Sequence, residues 1–285
     1  MTRIIGEHRI RSLITLGALF LVAGVLVTLP AAGVGVEHFC NGLPATIVGT
    51  DGPDEIVGTA GDDVIVGLKG KDIIRGGPGD DTICGNNRRD VLRGGPGNDW
   101  ISGGAGSDTL RGGEGADVLR GGGWSDHLYG GAGDDTLIGG PGWDEFFSDP
   151  GDDLIRGGTG DFDWVLLVGA PGPVVVDLSN QISMGDGTDT LKSIEAVSGS
   201  DFDDVLIGSN RNNILRGEGG DDNIRGRGGD DTLIGSGGRD RMRGNRGDDT
   251  LSGGGPVDGK DWMWGGSGQD RLFGDDGWDR LRGLS

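Results

Sequence analysis

The sequence predicts an all-β fold, a parallel β-roll (β-solenoid) in two blocks, and three observations carry this prediction. A nine-residue pattern, Gly-x-x-Gly-x-Asp-x-U-x with U a large apolar residue, fills residues 49–156 in twelve consecutive units. These units follow one another without an insertion or a deletion. The same pattern returns over residues 199–285. A short fixed period is typical of a solenoid, in which each unit packs on its neighbours along one axis.

Each unit divides into a tight turn and a short strand. Glycine opens every unit of 49–156 except that of Ser148, and it fills the fourth position except at Arg88 and Trp124. Glycine is required where the backbone adopts positive φ or passes close to another backbone, so these positions predict turns. The three residues after the Asp alternate outward, inward and outward, as in a strand. Two units therefore make one coil, and the U residues of opposite strands form a thin core.

Acidic side chains offer the stabilisation that this thin core lacks. One apolar residue per unit contributes roughly 1.5–3 kcal/mol when buried, whereas ordering costs on the order of 1–2 kcal/mol per residue. The sixth-position carboxylates and the carbonyl groups of the glycine turns are hard oxygen ligands, of which Ca²⁺ accepts about 6–8 in flexible geometry. Softer metals prefer His and Cys, which are scarce here. The predicted metal ligands are Asp54, Asp63, Asp72, Asp81, Asp90, Asp99, Asp108, Asp117, Asp126, Asp135, Asp144, Asp153, Asp222, Asp231, Asp240, Asp249, Asp261, Asp270 and Asp279.

Two units carry the pattern in its fullest form. Residues 76–84, Gly-Gly-Pro-Gly-Asp-Asp-Thr-Ile-Cys, and residues 130–138, Gly-Gly-Ala-Gly-Asp-Asp-Thr-Leu-Ile, match G-G-x-G-x-D-x-U-x at every defined place. The pattern resembles the RTX, or haemolysin-type, calcium-binding nonapeptide repeat. That resemblance implies that carboxylates and turn carbonyls bind Ca²⁺ between units two apart, and that the chain folds on binding. The alternative is that Gly and Asp serve turn geometry alone, as in solenoids that bind no ion.

Composition limits the classes of partner and activity. The 285 residues carry a net charge of −21, with 46 acidic and 25 basic side chains. This charge disfavours nucleic acids and anionic membranes as partners and favours calcium ions. None of the three histidines lies in a nucleophile motif with Ser or Cys. The sequence therefore predicts a binding protein and not an enzyme.

The first 35 residues differ in kind from the repeats. Arginines near the start precede an uncharged, mostly apolar run at 12–29, and small residues follow at 31–33. This layout is typical of a secretory signal peptide, which we place at 1–35. An uncleaved membrane anchor is the alternative, because the run approaches the length of a spanning helix. Both interpretations predict an extracellular location, either secreted or associated with the cell surface.

Residues 36–48 are predicted to form an N-terminal cap on the first coil. Cys40, in this cap, and Cys84, at an outward ninth position, are the only cysteines. An even number of cysteines in an oxidising compartment predicts a disulfide. The bond would fasten the cap to the roll, and free or intermolecular thiols are the alternative.

The rest of the chain divides into two repeat blocks and a spacer. The first block is 49–156 and the second is 199–285, and the period is lost between them. We interpret 157–198 as a non-repeat β spacer that joins the blocks. The first two units of the second block lack the fourth-position glycine, and Asn213 replaces Asp in one of them. We therefore assign no calcium ligand to those two units.

A second class of function stays open, an adhesin that binds an extracellular polysaccharide. Exposed indoles can stack on sugar rings, and five tryptophans fall at positions where the pattern predicts exposure: Trp100, Trp124, Trp143, Trp262 and Trp278. Ninth-position arginines predict outward ladders that balance the acidic turns: Arg75, Arg93, Arg111, Arg120, Arg156, Arg216, Arg225, Arg243 and Arg282. The alternative is that the indoles only flank turns or cover neighbouring coils.

Overall fold

The computed structural model describes residues 19–22, 25–28, 37–147, 149–160, 162–255, 259–275 and 277–284. Within these residues the chain forms strands and turns and contains no helix. Up to the end of the first block the strands are β1 (Leu19–Val22), β2 (Val25–Thr28), β3 (Phe39–Cys40), β4 (Leu43–Pro44), β5 (Ile47–Val48), β6 (Glu55–Val57), β7 (Val64–Lys69), β8 (Ile73–Arg75), β9 (Thr82–Asn87), β10 (Val91–Pro96), β11 (Trp100–Ala105), β12 (Thr109–Glu114), β13 (Val118–Gly123), β14 (His127–Ala132), β15 (Thr136–Pro141), β16 (Glu145–Phe147) and β17 (Leu154–Thr159). The later strands are β18 (Trp164–Leu166), β19 (Val175–Asp177), β20 (Ile182–Met184), β21 (Thr188–Lys192), β22 (Ala196–Ser198), β23 (Val205–Ile207), β24 (Ile214–Gly219), β25 (Asn223–Gly228), β26 (Thr232–Gly237), β27 (Arg241–Arg246), β28 (Thr250–Ser252), β29 (Trp262–Ser267), β30 (Arg271–Phe273) and β31 (Arg280–Leu284).

Two largely parallel sheets form the opposite faces of the roll. One has twelve strands, in the order β6-β8-β10-β12-β14-β16-β18-β22-β24-β26-β28-β30. The other has fifteen, in the order β5-β7-β9-β11-β13-β15-β17-β21-β20-β19-β23-β25-β27-β29-β31. Successive units enter the two sheets alternately, so neighbours within one sheet are two units apart, as Leu92 and Leu110 are. The predicted all-β parallel roll, with two units per coil, is confirmed.

The core is a file of apolar side chains from the eighth position of the units. Leu110 and Leu119, from opposite sheets, are fully buried, as is Phe146, the largest side chain in the file. Each coil adds only two such residues, so one coil alone buries little apolar surface. Stacking of coil on coil therefore supplies much of the stability, as in other solenoids.

Both sheets continue through the predicted spacer. In the twelve-stranded sheet β16, β18, β22 and β24 are consecutive neighbours. In the fifteen-stranded sheet β21 pairs with β17 in parallel. Next to β21 this sheet contains two additional strands, β20 and β19. Strand β20 runs antiparallel to both β19 and β21. Residues 157–198 therefore contribute to both faces of the roll and add a hairpin to one of them.

The N-terminal cap is fastened to the outer surface of the roll. Strands β3 and β4 pair antiparallel, and a disulfide joins Cys40 to Cys84 with their Cα atoms 5.7 Å apart. Both cysteines are buried beside Val66. Trp100 packs against this cluster and is half-buried. The prediction that Trp100 is exposed is therefore wrong, because the cap covers this part of the sheet.

The predicted signal peptide, 1–35, lies mostly outside the described residues. Of this stretch the structure describes β1 and β2, which form an antiparallel pair. No described segment is a helix long and apolar enough to cross a membrane.

Candidate metal sites

The sixth-position residues lie in the turns that lead into the strands, and the stacking of the coils aligns them in two columns. The column before the twelve-stranded sheet contains Asp54, Asp72, Asp90, Asp108, Asp126, Asp144, Asp163, Glu195, Asn213, Asp231, Asp249 and Asp270. The column before the fifteen-stranded sheet contains Asp63, Asp81, Asp99, Asp117, Asp135, Asp153, Asp189, Asp204, Asp222, Asp240, Asp261 and Asp279. Every Asp that the sequence proposes as a metal ligand lies in one of these columns.

Within each column, the backbone of one residue holds the carboxylate of the next. The N–H of Asp108 donates to Oδ1 of Asp126 at 2.7 Å, and the N–H of Asp126 donates to Oδ1 of Asp144 at 2.9 Å. This bond fixes the orientation of each carboxylate. It occupies only one of the two acceptor oxygens, so the other faces the inside of the turn.

The second carboxylate oxygen, Oδ2, is buried without a hydrogen-bond partner in the interior turns. This is the case for Asp72, Asp81, Asp90, Asp99, Asp108, Asp117, Asp126, Asp135, Asp144, Asp222, Asp231, Asp240, Asp249 and Asp270. A buried polar atom left without a partner costs roughly 1–3 kcal/mol, and more when it is charged. A regular row of such atoms indicates that a cation belongs beside them.

Glycine leaves room for further oxygen atoms beside each Oδ2. A Cβ atom on Gly112 would lie 2.1 Å from Oδ2 of Asp117 and 2.4 Å from the carbonyl oxygen of Gly130. A Cβ atom on Gly113, whose φ is +135°, would lie 2.0 Å from the carbonyl oxygen of Gly95. An interior turn thus brings a carboxylate oxygen and a carbonyl oxygen of the next coil close to its first glycine, where a side chain has no room.

Burial makes these carboxylates difficult to ionise without a counter-charge. It raises the pKa of Asp126 to about 8; the hydrogen bond from Asp108 N–H lowers this pKa, and the carboxylates of Asp108 and Asp144 raise it. Burial likewise raises the pKa of Asp222 to about 8 and that of Asp90 to about 7. A divalent cation would supply the missing positive charge and would favour the ionised form.

The donor set of the interior turns fits calcium. It contains only carboxylate and carbonyl oxygens, which hard divalent cations prefer. Across the ranges that the structure describes, no group of three or more His, Cys, Asp or Glu side chains is arranged to hold a metal ion by side chains alone. A site must therefore take most of its ligands from backbone carbonyls. The flexible coordination of Ca²⁺ accommodates this arrangement better than the strict octahedron of Mg²⁺.

The first two turns of each block are closed in a different way. The N–H of Thr59 donates to Oδ2 of Asp63 at 2.6 Å, and the N–H of Ser209 donates to Oδ1 of Asn213 at 2.7 Å. We call these the opening turns; their second and sixth residues are Thr50 and Asp54, Thr59 and Asp63, Ser200 and Asp204, and Ser209 and Asn213. In an opening turn an N–H group of the same turn satisfies the oxygen that lacks a partner in the interior turns.

Three acidic residues of the predicted spacer continue the columns. Asp163, Asp189 and Glu195 accept N–H groups from the preceding column members at 3.0, 3.2 and 3.2 Å. The sequence carries a signal for Asp163, because residues 157–160 open a unit in which the Asp is displaced by one place. Glu195 has no such signal, since it belongs to no nine-residue period.

An outer ladder of fifth-position side chains was not predicted. Oδ1 of Asp62 accepts the N–H of Asp80 at 3.0 Å, and Oδ1 of Asp80 accepts the N–H of Asn98 at 2.8 Å. The second block repeats the arrangement, for example between Asp230 and Asp248 at 2.9 Å. In the sequence, this ladder is indicated by Asp or Asn at many fifth positions. This ladder ties the exposed edge of the turns together through hydrogen bonds.

Exposed indoles and arginines lie on the outer faces of the sheets. Trp124, Trp143, Trp262 and Trp278 are exposed, as the sequence predicts. Trp264, at an outward ninth position, is exposed as well. Ninth-position arginines lie opposite one another on neighbouring strands, for example on β10 and β12.

Comparison with known proteins places the repeats in one family. The model of the RTX calcium-binding nonapeptide repeat matches residues 48–83, 85–119, 120–155, 198–233, 225–255 and 257–285. These matches cover more than half of the chain and leave out most of the predicted spacer. No curated protein matches the chain.

Proposed function

Because the chain belongs to the family of RTX calcium-binding nonapeptide-repeat proteins, we propose that it is an extracellular protein whose β-roll folds as Ca²⁺ binds in its interior turns. The repeats are of a calcium-binding type and the fold is a β-roll. The row of buried Oδ2 atoms without hydrogen-bond partners is the observation that supports coupled folding. Without a cation the folded columns hold closely stacked acidic groups out of water, and unfolding relieves that cost.

Two features support an extracellular location. Residues 1–35 have the layout of a secretory signal peptide, and the Cys40–Cys84 disulfide suits an oxidising compartment. Extracellular calcium modules bind Ca²⁺ with dissociation constants of about 10⁻⁴–10⁻³ M. Sites of that affinity would fill outside the cell and stay empty in a cytosol that is poor in calcium, so folding would follow export.

The proposed role is binding and scaffolding, without catalysis. Nε2 of His127 lies 3.1 Å from Oε2 of Glu145, on the outer face of a sheet and not beside a nucleophile. The buried Asp residues are held in the columns by hydrogen bonds from the backbone. Ions in such sites would neutralise and crosslink the turns, which is a structural role.

Far-UV circular dichroism of the purified protein tests the proposal. Calcium is first removed with a chelator, and the protein is then titrated with Ca²⁺ and, separately, with Mg²⁺. We expect a cooperative gain of β signal with Ca²⁺ alone. A protein already folded in chelator would contradict coupled folding. The location is tested separately, with residues 1–35 fused to a reporter enzyme that is active only outside the cytoplasm.

A further inference from the structure

Strands β27, β29 and β31 carry a cationic, aromatic surface that takes no part in the proposed calcium sites. In β27 and β29 the seventh and ninth positions face outward, because the eighth-position residues Met242 and Met263 are buried between them, and β31 continues their register. Six side chains therefore share one face of the fifteen-stranded sheet. We call them the Arg–Trp patch: Arg241, Trp262 and Arg280 form its first row, and Arg243, Trp264 and Arg282 form its second row.

Each row of the patch holds an indole between two guanidinium groups. The Cζ atoms of Arg241 and Arg280 lie 5.9 and 4.9 Å from the ring centroid of Trp262. In the second row the corresponding distances to the ring of Trp264 are 5.6 and 5.0 Å. Cation–π contacts of this kind restrain the arginine side chains. The four guanidinium groups are thus positioned before any ligand arrives.

The four guanidinium groups stand at the corners of a rectangle. Two arginines in one row are separated by two strand spacings, roughly 10 Å, and the rows are separated by two residues along a strand, roughly 7 Å. A planar guanidinium binds a carboxylate or sulfate group through two parallel hydrogen bonds. The rectangle therefore suits a polymer whose anionic groups are spaced well apart.

A groove beside the first row provides a surface for a sugar ring. Its volume is about 620 Å³, and Lys260, Trp262 and Trp278 are among the residues that line it. Trp278 is 86% exposed. Among the described residues no Lys or Arg stacks on its ring. An open indole offers a flat apolar face and a polar N–H group, and Lys260 adds positive charge at the same place.

The patch is cationic although the whole chain has a net charge of −21. Each acidic residue in the groove has a partner other than a patch arginine for at least one carboxylate oxygen. Asp221 pairs with Arg239 at 2.8 Å, and Asp240 and Asp279 accept N–H groups in their column. In the described part of the chain, no carboxylate forms an ion pair with a patch arginine. The guanidinium groups are thus available to an external anion.

We propose that the Arg–Trp patch and the adjoining groove bind an acidic polysaccharide that carries a carboxylate or sulfate group on every second sugar. The anionic groups pair with the guanidinium groups, and a sugar ring lies on Trp278. Nucleic acid fits this surface less well. Duplex DNA carries one charge per roughly 1.7 Å of its axis, far denser than the arginines, and the acidic remainder of the chain repels it.

Isothermal titration calorimetry of the calcium-loaded full chain tests the proposal. The probes are hyaluronan oligosaccharides, which carry a carboxylate on every second sugar, and chondroitin sulfate, with neutral dextran and a DNA duplex for comparison. We expect both acidic glycans to bind, dextran not to bind, and DNA to bind more weakly. Affinity for the glycans should fall as salt is added, because the contacts are ionic and exposed.

Paired variants separate the patch from general surface charge. Arg241→Gln combined with Arg280→Gln should weaken glycan binding at least about tenfold, the effect of losing charge-assisted hydrogen bonds. The matched control combines Arg93→Gln with Arg111→Gln, two exposed ninth-position arginines in the other sheet, and should change the affinity less than about twofold. Trp278→Ala should also weaken binding, since it removes the stacking face.

Several outcomes would overturn the proposal. They are no binding of either acidic glycan, equal losses in the patch and control variants, or tighter binding of DNA than of glycan. Circular dichroism in calcium shows whether each variant is folded. A second pair, Arg241→Lys with Arg280→Lys, keeps the charge but loses the two-point geometry. It should bind the glycan with an affinity between those of the wild type and the Gln variant.

Discussion

The opening turns and the interior turns build the same coil with different chemistry. In the opening turn of Thr59 the second residue does not have positive φ, and its N–H donates to the Asp63 carboxylate at 2.6 Å. In the interior turn of Gly77 the second residue has a φ of +117°, and its N–H donates to the carbonyl of Gly94 at 3.0 Å. In the interior turn the N–H of the left-handed second residue thus points away from the Asp carboxylate. One carboxylate oxygen is left for another partner.

The interior conformation persists where glycine is absent. Leu68, Asn86 and Glu218 occupy the second position of interior turns with φ of 79°, 79° and 78°. A left-handed conformation costs a residue with a side chain roughly 1–2 kcal/mol. The stacked coils and the proposed ions would offset this cost, whereas an opening turn has no such strain. The comparison shows that Oδ2 of a sixth-position Asp either accepts an N–H of its own turn or lacks a hydrogen-bond partner, depending on the backbone of the residue four places before it.

Alanine at the fourth position should separate the two kinds of turn most strongly. In an interior turn, Gly115→Ala places a side chain at φ +124°, with its Cβ 2.0 Å from the carbonyl oxygen of Gly97. We expect a loss of about 2–4 kcal/mol in the free energy of unfolding, from strain and overpacking together. In an opening turn, Gly61→Ala meets no atom within 4 Å and should change stability by less than about 1 kcal/mol. Denaturant unfolding in saturating calcium measures both, and equal losses would contradict the comparison.

Removing one charge from the sixth position should destabilise the calcium-loaded folded state and stabilise the calcium-free folded state. Asp126→Asn should weaken calcium binding in its coil at least about tenfold, or 1.4 kcal/mol, because an ion ligand is lost. In chelator the same variant should favour the folded state, since a buried charge and its repulsion are gone. Asp63→Asn should change neither property much, because its oxygen still accepts the N–H of Thr59, as Asn213 accepts that of Ser209.

Calcium titrations of both variants, followed by circular dichroism from chelator to saturation, measure these effects. The wild type gives the reference midpoint. A midpoint that moves equally in Asp63→Asn and Asp126→Asn would show that both turns hold an ion. A less stable Asp126→Asn protein in chelator would show that column repulsion does not oppose folding.

Acid should weaken calcium binding in the interior turns. Burial raises the pKa of Asp99 to about 7 and that of Asp222 to about 8 in the folded chain, from an ordinary value of 3.8. Protonation therefore stabilises the calcium-free roll fully below about pH 4, and this stabilisation is lost as the pH rises through about 7–8. Calcium must displace these protons, so its affinity should fall up to tenfold per pH unit for each proton displaced. Calcium titrations at about pH 8, 7 and 6 measure the trend, and a constant midpoint would contradict it.

The fold and the columns could be predicted because their signal recurs in every unit. Asp126 is assigned by its place in the period, and Leu128 is assigned to the core in the same way. The opening turns of the first block could not be distinguished, because Asp63 and Asp81 occupy the same place in the pattern. Those of the second block were set apart by the missing fourth-position glycine. What differs is the backbone of the second residue, Thr59 or Gly77, and the pattern admits both.

The course of the roll through 157–198 could not be predicted for a different reason. Strands β17 and β21 are neighbours although a whole hairpin and β18 lie between them in sequence. Such pairing depends on contacts between distant segments and leaves no mark in a local period. The same limit applies to Glu195, whose place in a column follows from the strand that it precedes.

Among these changes, removing the side-chain hydroxyl of an opening turn should have the smallest effect on the free energy of unfolding. The Oγ of Ser200 donates to Oδ1 of Asp204 at 2.8 Å and accepts the N–H of Phe202 at 3.1 Å. Ser200→Ala removes both bonds but leaves the backbone N–H donating to Oδ2 at 2.6 Å, so we expect a loss of about 1 kcal/mol. Ser236→Ala is the matched control, at the second position of an interior turn with φ 77°. Its hydroxyl makes no hydrogen bond within the described residues, so the expected change is below about 0.5 kcal/mol. Thermal unfolding in calcium compares the two, and equal losses would mean that the backbone N–H alone distinguishes the opening turns.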